Sequence, residues 1–446
     1  MFRAGYQIGY ESFYNNILSN AATSSPNVVA TSNPSTVSAA NPRGLPNLSA
    51  QFPTVAAPLS PLSAQTLIAP NLVNPYDQHW SGGIQRELPG QWILDISYVG
   101  SKGTKLFITE DANPLVPPTL RITPAGFTGA TSGRLDNLQG QRNVRANGGA
   151  SNYHAGQLNV KHRFSRQFTA TAAYTYSKSM SNADDVFDST LSTLGGISGP
   201  GSFQTPAVFG GERQDRAVSL YDRTHVAAFT YVYVLPFFKE QRGAVGHILG
   251  GFELSGITTF ESGQPFTIVN GLDGDGIGGA GTDRPNLNPN GQPGVRAVPV
   301  VNAQGSITGY VNPDNGNAAI DPGTARFVAN PAFTFGLPGS VPRVGTLGRN
   351  TQRSPGINNW DFNVLKRTKV RENISFELRA EFFNIFNHPQ YGIAAQSVFA
   401  PGGNPLFGSF IPANVASSSA GQFLNPNTPF SDGGGRVARF QAKFIF

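Results

Sequence analysis

The chain contains no cysteine among its 446 residues. Disulfide bonds, thiolate nucleophiles and cysteine-ligated zinc or iron–sulfur sites are therefore excluded. Charged residues are also scarce, at 13%, which is roughly half the share typical of a soluble globular domain. Because charged helix formers are few while Gly (52) and Pro (34) are abundant, the composition argues against a helical bundle or a coiled coil.

Long apolar runs are missing as well. No segment approaches the roughly 18 apolar residues of a transmembrane helix, and the best stretch, 226–238, is interrupted by Pro236. The net charge of +6 arises from 32 basic and 26 acidic residues that are scattered along the chain, without the basic stripe of a nucleic-acid-binding protein. The first residues contain no basic segment followed by an apolar one, so no signal peptide is visible. We expect no helical membrane span and no nucleic-acid partner.

What the chain does have is a strict alternation of apolar and polar residues, the period of a β-strand with two different faces. It is clearest at 2–11, 374–382 and 436–446. Weaker versions occur at 80–88, 92–101, 153–164, 168–177, 225–235, 252–262 and 360–367. These segments predict about ten strands. At 225–235 the pattern does not identify the apolar face.

A soluble β-sandwich would also alternate, but two features favour a membrane barrel. The segments have about ten residues, longer than ordinary globular strands, and at a tilt of about 40° they would rise roughly 27 Å. Short links also alternate with long polar intervals, as periplasmic turns alternate with extracellular loops in outer-membrane barrels. The long intervals are 15–74, 102–152, 178–222, 263–357 and 387–435.

The sequence therefore predicts an all-β fold, an antiparallel transmembrane β-barrel or the C-terminal portion of one, as a single domain over 1–446. Its three tryptophans, Trp80, Trp92 and Trp360, fall at strand ends, where interfacial aromatic girdles lie. The predicted lipid-facing residues are Phe2, Tyr6, Ile8, Phe376, Leu378, Phe440, Phe444 and Phe446. The predicted lumen-facing residues are Arg3, Gln7, Asn159, Lys161, Arg163, Glu377, Arg379, Glu381, Arg439 and Lys443.

Motifs that would carry catalysis or cofactor binding fail in their context. A glycine-rich run at 271–281 contains G-x-G-x-x-G, but the Pro-containing segment after it cannot open the helix of a dinucleotide fold. Asp273, Asp275 and Asp283 do not complete an EF-hand loop, so we expect a flexible, solvated loop there. Glu377 and Glu381 flank Arg379 on one face and predict a neutralising ladder inside a lumen; a pair of catalytic carboxylates is the alternative. We expect no enzyme activity, no cofactor and no metal.

Several segments resemble the barrel of Oar-like TonB-dependent outer-membrane receptors. They are 74–80 (NPYDQHW), 97–106 (SYVGSKGTKL), 174–179 (YTYSKS), 260–266 (FESGQPF), 347–350 (LGRN) and 379–389 (RAEFFNIFNHP). The terminal Phe444 and Phe446 resemble the signal that the barrel assembly machinery recognises. The resemblance implies outer-membrane lipid and that machinery as partners, with import of an unidentified bulky nutrient as the function.

Members of that family also carry a signal peptide, a plug and a larger barrel. By this comparison the chain resembles the C-terminal part of such a barrel, and contact with the TonB complex is expected only through a plug region that is missing here. Two other functions remain open from the residues alone. One is a small self-contained outer-membrane pore, and the other is a secreted β-rich adhesion module.

Overall fold

The computed structural model describes residues 1–12, 15–22, 24, 60–122, 132–163, 167–184, 203–276, 283–371, 374–388 and 436–446. These residues form mostly antiparallel β-structure, as predicted. The strands, in chain order, are β1 (Phe2–Tyr10), β2 (Gln65–Ile68), β3 (Tyr76–Leu88), β4 (Trp92–Asp111), β5 (Arg142–Arg163), β6 (Phe168–Ser181), β7 (Phe203–Gln204), β8 (Ala217–Val218), β9 (His225–Val234), β10 (Phe252–Glu261), β11 (Pro265–Phe266), β12 (Asn286–Leu287), β13 (Gln292–Val301), β14 (Ile307–Asn312), β15 (Ala318–Ala319), β16 (Ala325–Val328), β17 (Gln352–Arg353), β18 (Ile357–Arg371), β19 (Ile374–Phe383) and β20 (Val437–Ile445).

Helices are few and short in the described residues. The α-helices are α1 (Asn15–Ala22) and α2 (Gly243–Leu249). Single turns of 3₁₀ helix occur at Pro118–Leu120, Ala207–Phe209, Gly211–Asp215, Pro313–Asn315 and Pro322–Thr324. None of these helices is long and apolar enough to cross a membrane.

The main sheet is a path of ten strands in the order β1-β3-β4-β5-β6-β9-β10-β18-β19-β20, the number predicted from the alternation. Every neighbouring pair on this path is antiparallel. The connections β3–β4, β5–β6, β9–β10 and β18–β19 lie at one end of the sheet, which we call the turn end. The long intervals leave from the opposite end, which we call the loop end. Among the described residues β1 pairs only with β3, and β20 only with β19, so two sheet edges have no partner.

Local sequence explains why these strands form and where they stop. Strand β9 reads HVAAFTYVYV, and its β-branched and aromatic residues fit a pleated surface. Pro236 follows two residues after β9 and cannot donate to the sheet. At the β3–β4 hairpin, Gly90 (φ 82°) and Gln91 (φ 66°) both take left-handed backbone conformations, so the chain reverses within three residues between Leu88 and Trp92.

Two strands extend well past the predicted boundaries. Strand β4 has 20 residues and β5 has 22, so the ends of the predicted loop 102–152 are strand. The register between them shifts from Thr104 to Ile108. A bulge of this kind breaks the two-residue period, and the alternation therefore fails to reveal the extension.

The interval 263–357, predicted as a long loop, contains a folded unit. Its strands form a five-stranded sheet, β12-β16-β13-β14-β15, and a separate β11–β17 pair. We call the described residues of 203–222 and 263–356 the cap. Its buried apolar core consists of Leu220, Phe266, Ile268, Val298, Phe327, Ala329 and Leu347. The loop predicted at 387–435 lies outside the described residues apart from 387 and 388.

Candidate functional site

The register of the main sheet sorts its side chains onto two faces. Residues directly opposite each other on antiparallel strands share a face. One such row runs Tyr6, Trp80, Gly100, His154, Lys178, and we call its side the apolar face. The neighbouring row, Gln7, His79, Ser101, Tyr153, Ser179, lies on the polar face.

The residues singled out from the sequence separate cleanly between these faces. The apolar face holds the predicted lipid-facing residues Phe2, Tyr6, Ile8, Phe376, Leu378, Phe440 and Phe444. By backbone register, the polar face holds the predicted lumen-facing residues Arg3, Gln7, Asn159, Lys161, Arg163, Glu377, Arg379, Glu381, Arg439 and Lys443. The register also resolves β9, where Phe229, Tyr231 and Tyr233 lie on the apolar face.

Acidic residues occur on one face only. Between the turn end and Thr104 of β4, the apolar face carries no Asp or Glu in its paired rows. In the same rows the polar face carries Asp77, Glu87, Asp95, Glu253, Glu261, Asp361, Glu377 and Glu381. A continuous surface of exposed apolar side chains without carboxylates is suited to hydrocarbon and is rare on soluble proteins.

Cations on the apolar face are confined to its two ends. Arg86 and Lys366 lie near the turn end, and Lys102 and Lys178 lie near the loop end. Along β4 the interval from Trp92 to Lys102 measures about 33 Å, which at a tilt of about 40° rises about 25 Å. This rise matches the apolar band of an outer-membrane barrel.

Ion pairs on the polar face cross between strands. The Arg367 Nε donates to Glu377 Oε1 at 2.6 Å, and the Arg439 Nε donates to Glu381 Oε2 at 2.6 Å. Arg379, the expected neutralising residue, lies 3.7 Å from Glu381. The carboxylates are therefore held by arginines of neighbouring strands more closely than by the residue between them.

Aromatic and histidine side chains mark both ends of the apolar face. At the loop end the Tyr98 hydroxyl lies 2.7 Å from His154 Nδ1, and the Tyr174 hydroxyl lies 2.7 Å from His225 Nδ1. At the turn end the rings of Trp92 and His162 stack with centroids 3.8 Å apart. The amphipathic rings are suited to the two membrane–water interfaces.

A largely buried ion pair attaches the cap to the loop end of the main sheet, and a second pair lies where the cap leads into β9. The Arg349 guanidinium contacts Asp184 Oδ2 at 3.0 Å and donates to the Ser181 carbonyl at 2.6 Å. Arg353 contacts Asp222 Oδ2 at 2.7 Å, and the Asp222 side chain is fully buried. Ser181 ends β6 and Asp184 follows it, so Arg349 holds the cap against that strand, whereas the Arg353–Asp222 pair lies within the cap just before β9.

Further ion pairs lie within the cap. Arg284 contacts Asp215 at 3.1 Å, with both side chains nearly buried. Arg296 is completely buried, and its Nε and Nη2 each donate to Asp314 at 3.0 Å. A two-point contact of this kind satisfies the planar guanidinium and fixes its orientation.

A cleft of about 270 Å³ opens at the loop end between the β4 extension and residues 205–211. Asp111 lies in its wall and pairs with Arg134 at 2.7 Å. Burial raises the pKa of the Asp111 carboxyl above its ordinary value, although Arg134 and backbone N–H donors act in the opposite direction. Ala112, Pro114, Leu135, Ala207 and Val208 form the apolar part of the lining.

The three aspartates of the glycine-rich segment come together in the cap. Single carboxylate oxygens of Asp273, Asp275 and Asp283 lie within 4.8 Å of one another, the one such group among the described residues that could hold a hard cation. Instead of lying in a solvated loop, Asp283 is buried and accepts hydrogen bonds from the Gly274 and Asp275 N–H groups. Burial, followed by the nearby Asp275 and Asp273 charges, raises the pKa of Asp283 well above its ordinary value.

Two groups of residues escaped prediction from the sequence. Arg367 is one of them, although the sequence did contain a signal for it. Arg367 shares the strand parity of the polar face and lies opposite Glu377. The cap contacts of Arg349 and Arg353 carry no periodic signal, since they connect residues more than a hundred positions apart.

Of the two terminal aromatics, Phe444 packs 4.8 Å from the Phe376 ring, whereas Phe446 follows the end of β20 and is exposed.

Comparison with solved structures finds an outer membrane transporter and a pyoverdine-bound protein. The outer membrane transporter YddB from Escherichia coli is similar with a TM-score of 0.36 at 10% identity, over 74% of this chain and 31% of that one. FpvA from P. aeruginosa, solved with bound heterologous pyoverdine, gives 0.31 at 9% identity, over 84% and 28% of the two chains. The chain thus spans about a third of these proteins. No curated protein matches it.

A family model described as an outer membrane beta barrel domain matches residues 1–425. The match includes β1 to β19, and the opposed faces of the main sheet agree with it. The domain is accordingly located in the outer membrane. The chain belongs to the outer membrane beta barrel domain family.

Proposed function

We propose that this domain is the barrel part of an Oar-like, TonB-dependent outer-membrane receptor that imports a bulky nutrient. The observation that carries the proposal is the folded cap at the loop end. A simple pore needs no large folded cap, whereas a receptor needs a structured surface that contacts its ligand before import. The role is one of transport rather than catalysis.

In this proposal the two faces have different surroundings. The apolar face contacts membrane lipid, and the polar face lines the lumen. The ion pairs of Glu377 and Glu381 support this assignment, because paired charges are tolerated next to a hydrated lumen and are expensive against hydrocarbon. The unidentified nutrient would first meet the cap and the cleft beside Asp111.

We propose further that the unpaired edges of β1 and β20 are completed by additional strands. Backbone N–H and C=O groups at a lipid-exposed edge cost several kcal/mol each, so membrane sheets close. The ten strands alone are therefore expected to aggregate or be degraded when they are expressed without further strands. A monodisperse, protease-resistant and heat-modifiable product of residues 1–446 would contradict this proposal.

Two partners follow from the same proposal. The barrel assembly machinery would recognise the terminal segment with Phe444 and Phe446, and the TonB complex would act through a plug region outside the main sheet and cap. Removal of Phe446 should reduce membrane insertion of a barrel that carries β20, as measured by the heat-modifiable fraction. Unchanged insertion would show that Phe446 is not part of the signal.

Uptake by cells with the intact gene or a deletion tests the import function. The probes are labelled oligosaccharides, peptides and ferric chelates. We expect deletion to abolish uptake of one probe class, and a protonophore to abolish the same uptake in cells that retain the gene. Uptake that survives the protonophore would favour a passive pore, the second candidate function. Deletion that reduces cell adhesion but leaves uptake unchanged would favour an adhesion module.

A further inference from the structure

The loop end of the apolar face carries a group of basic side chains that the import function does not use. Lys102 and Lys178 lie on this face, with His154 directly opposite Lys178 and Lys102 one row further from the membrane centre. Arg216 approaches from the cap and donates to Asn152 Oδ1, and Asn152 is directly opposite Lys102. Lys102, His154, Lys178 and Arg216 are all exposed. We call these four residues the basic patch.

Among the described residues, no acidic side chain forms an ion pair with the cations of the patch. The ion pairs in the described part of the chain include none with Lys102, Lys178 or Arg216. From the turn end to Thr104, the paired rows of the apolar face also lack any Asp or Glu. The positive charge is therefore not neutralised by the surface on which it lies, in contrast with Arg367 and Arg439 on the polar face.

Aromatic side chains lie beside the patch, in the row of His154 and Lys178, and on its membrane side. The Trp80 indole extends across Gly100, where an added Cβ would come within 2.4 Å of the ring, and its ring centroid lies 5.9 Å from that of His154. The Trp80 Nε1 donates to the Tyr98 hydroxyl at 3.4 Å, and Tyr98 in turn contacts His154. The side chains thus change from apolar to mixed aromatic and basic toward the loop end, as expected when passing from acyl chains to headgroups.

We propose that the basic patch binds the phosphate-bearing headgroup of an outer-leaflet lipid, whose acyl chains pack on the apolar face below it. Charge complementarity and continuity with the membrane-facing surface favour this occupant. Arginine and lysine provide several N–H donors to phosphate oxygens, and basic side chains near a membrane surface add up in their attraction to anionic lipid. The proposal rests on the outer-membrane location of the domain and does not depend on nutrient import.

Lipid binding by a complete barrel that carries this chain, held in detergent micelles, tests the proposal. The probes are bisphosphorylated lipid A, the same lipid without phosphates, and inorganic phosphate, with bound lipid measured by native mass spectrometry. We expect the wild type to retain the phosphorylated lipid on the order of tenfold better than the dephosphorylated one. Lys102→Gln combined with Lys178→Gln should remove most of that preference. Equal retention of both lipids by the wild type would overturn the proposal.

The matched control is Lys161→Gln combined with Lys443→Gln, which removes the same charge from the polar face. It should bind phosphorylated lipid as the wild type does. Equal losses in both double variants would show that net charge, and not the patch, attracts the lipid. Displacement of the lipid by inorganic phosphate at comparable concentration would identify a free-anion site and contradict a headgroup site.

A salt series on the same barrel without substitutions provides a test that needs no variant. Screening weakens attraction between exposed charges, so retention of phosphorylated lipid should fall as sodium chloride increases, while retention of the dephosphorylated lipid stays constant. Retention that is independent of salt for both lipids would contradict the proposal, whatever the folding yield of the variants.

Discussion

The ion pairs of the cap and those of the main sheet differ in their access to water. In the cap and its attachment, both side chains of Arg284–Asp215 (8% and 10% exposed) and of Arg349–Asp184 (17% and 9% exposed) are largely buried. On the polar face of the sheet, Arg367 and Arg439 are 57% and 65% exposed, although their partners Glu377 and Glu381 are only 10% and 16% exposed. A buried charge that loses its partner remains desolvated, whereas an exposed one returns to water. Similar contacts therefore have very different structural importance in the two regions.

The largest expected effect is on the attachment of the cap. Arg349→Met removes the cation that contacts Asp184 and Ser181, and leaves the Asp184 carboxylate nearly buried without it. Breaking a buried pair by removing one partner costs about 3–5 kcal/mol. Urea unfolding followed by protease sensitivity of the 263–356 segment measures the loss. A loss below about 1 kcal/mol would contradict the claim that this pair secures the cap.

Neighbouring residues on β5 test the two faces of the sheet. Leu158→Arg places a cation between Ile96 and Tyr174 on the apolar face, whereas Asn159→Arg places it beside Asp95 on the polar face. Against hydrocarbon near the midplane the cost is about 2–4 kcal/mol, and toward a hydrated lumen it is much smaller. Folding stability of the two variants in lipid vesicles gives the comparison. Equal losses would contradict the face assignment.

A smaller effect is expected from the titration of Asp283 in the cap. Its pKa is raised in the folded state, mainly by burial, so the folded state holds the proton more tightly than the unfolded state does. The contribution of Asp283 to stability is therefore greatest at acidic pH and falls as the pH rises from the ordinary carboxyl pKa through the raised one.

Asp283→Asn should remove this dependence and stabilise the cap at neutral pH, since the amide oxygen still accepts from Gly274 and Asp275. The measurement is the thermal midpoint of the cap across a pH series. A wild-type thermal midpoint that rises between acidic and neutral pH, while that of the variant stays constant, would contradict the prediction. The pH dependence due to Asp283 would then have the opposite sign.

The smallest effect should come from the exposed pair Arg439–Glu381. Glu381→Gln removes the charge that Arg439 contacts, but Arg439 is mostly in water. Exposed pairs contribute about 0.2–1 kcal/mol. Unfolding stability should therefore change by no more than this, and the change should vanish at high salt. A loss as large as that of Arg349→Met would remove the distinction between the two regions.

The same two regions explain how much the sequence could predict. The main sheet was predictable because each strand records its two environments with a period of two residues. For example, Phe440 and Arg439 are neighbours on β20, and their alternate positions along the strand are enough to assign them to opposite faces. The cap was not predictable, since its core joins Leu220 to Phe266 and Leu347 across long separations, and its stability depends on buried pairs such as Arg284–Asp215. Where β4 bulges at Thr104, even the periodic signal ends.

The central claim is that the apolar face contacts lipid and the polar face contacts water. Because the chain has no cysteine, single cysteines can be introduced at every position of 153–162 on β5 and spin-labelled in the membrane-inserted protein. We predict that accessibility to oxygen, which concentrates in lipid, peaks at His154, Gly156, Leu158, Val160 and His162. Accessibility to a water-soluble nickel complex should peak at the positions between them. Uniform accessibility to both reagents along β5, or the reversed phase, would contradict the account.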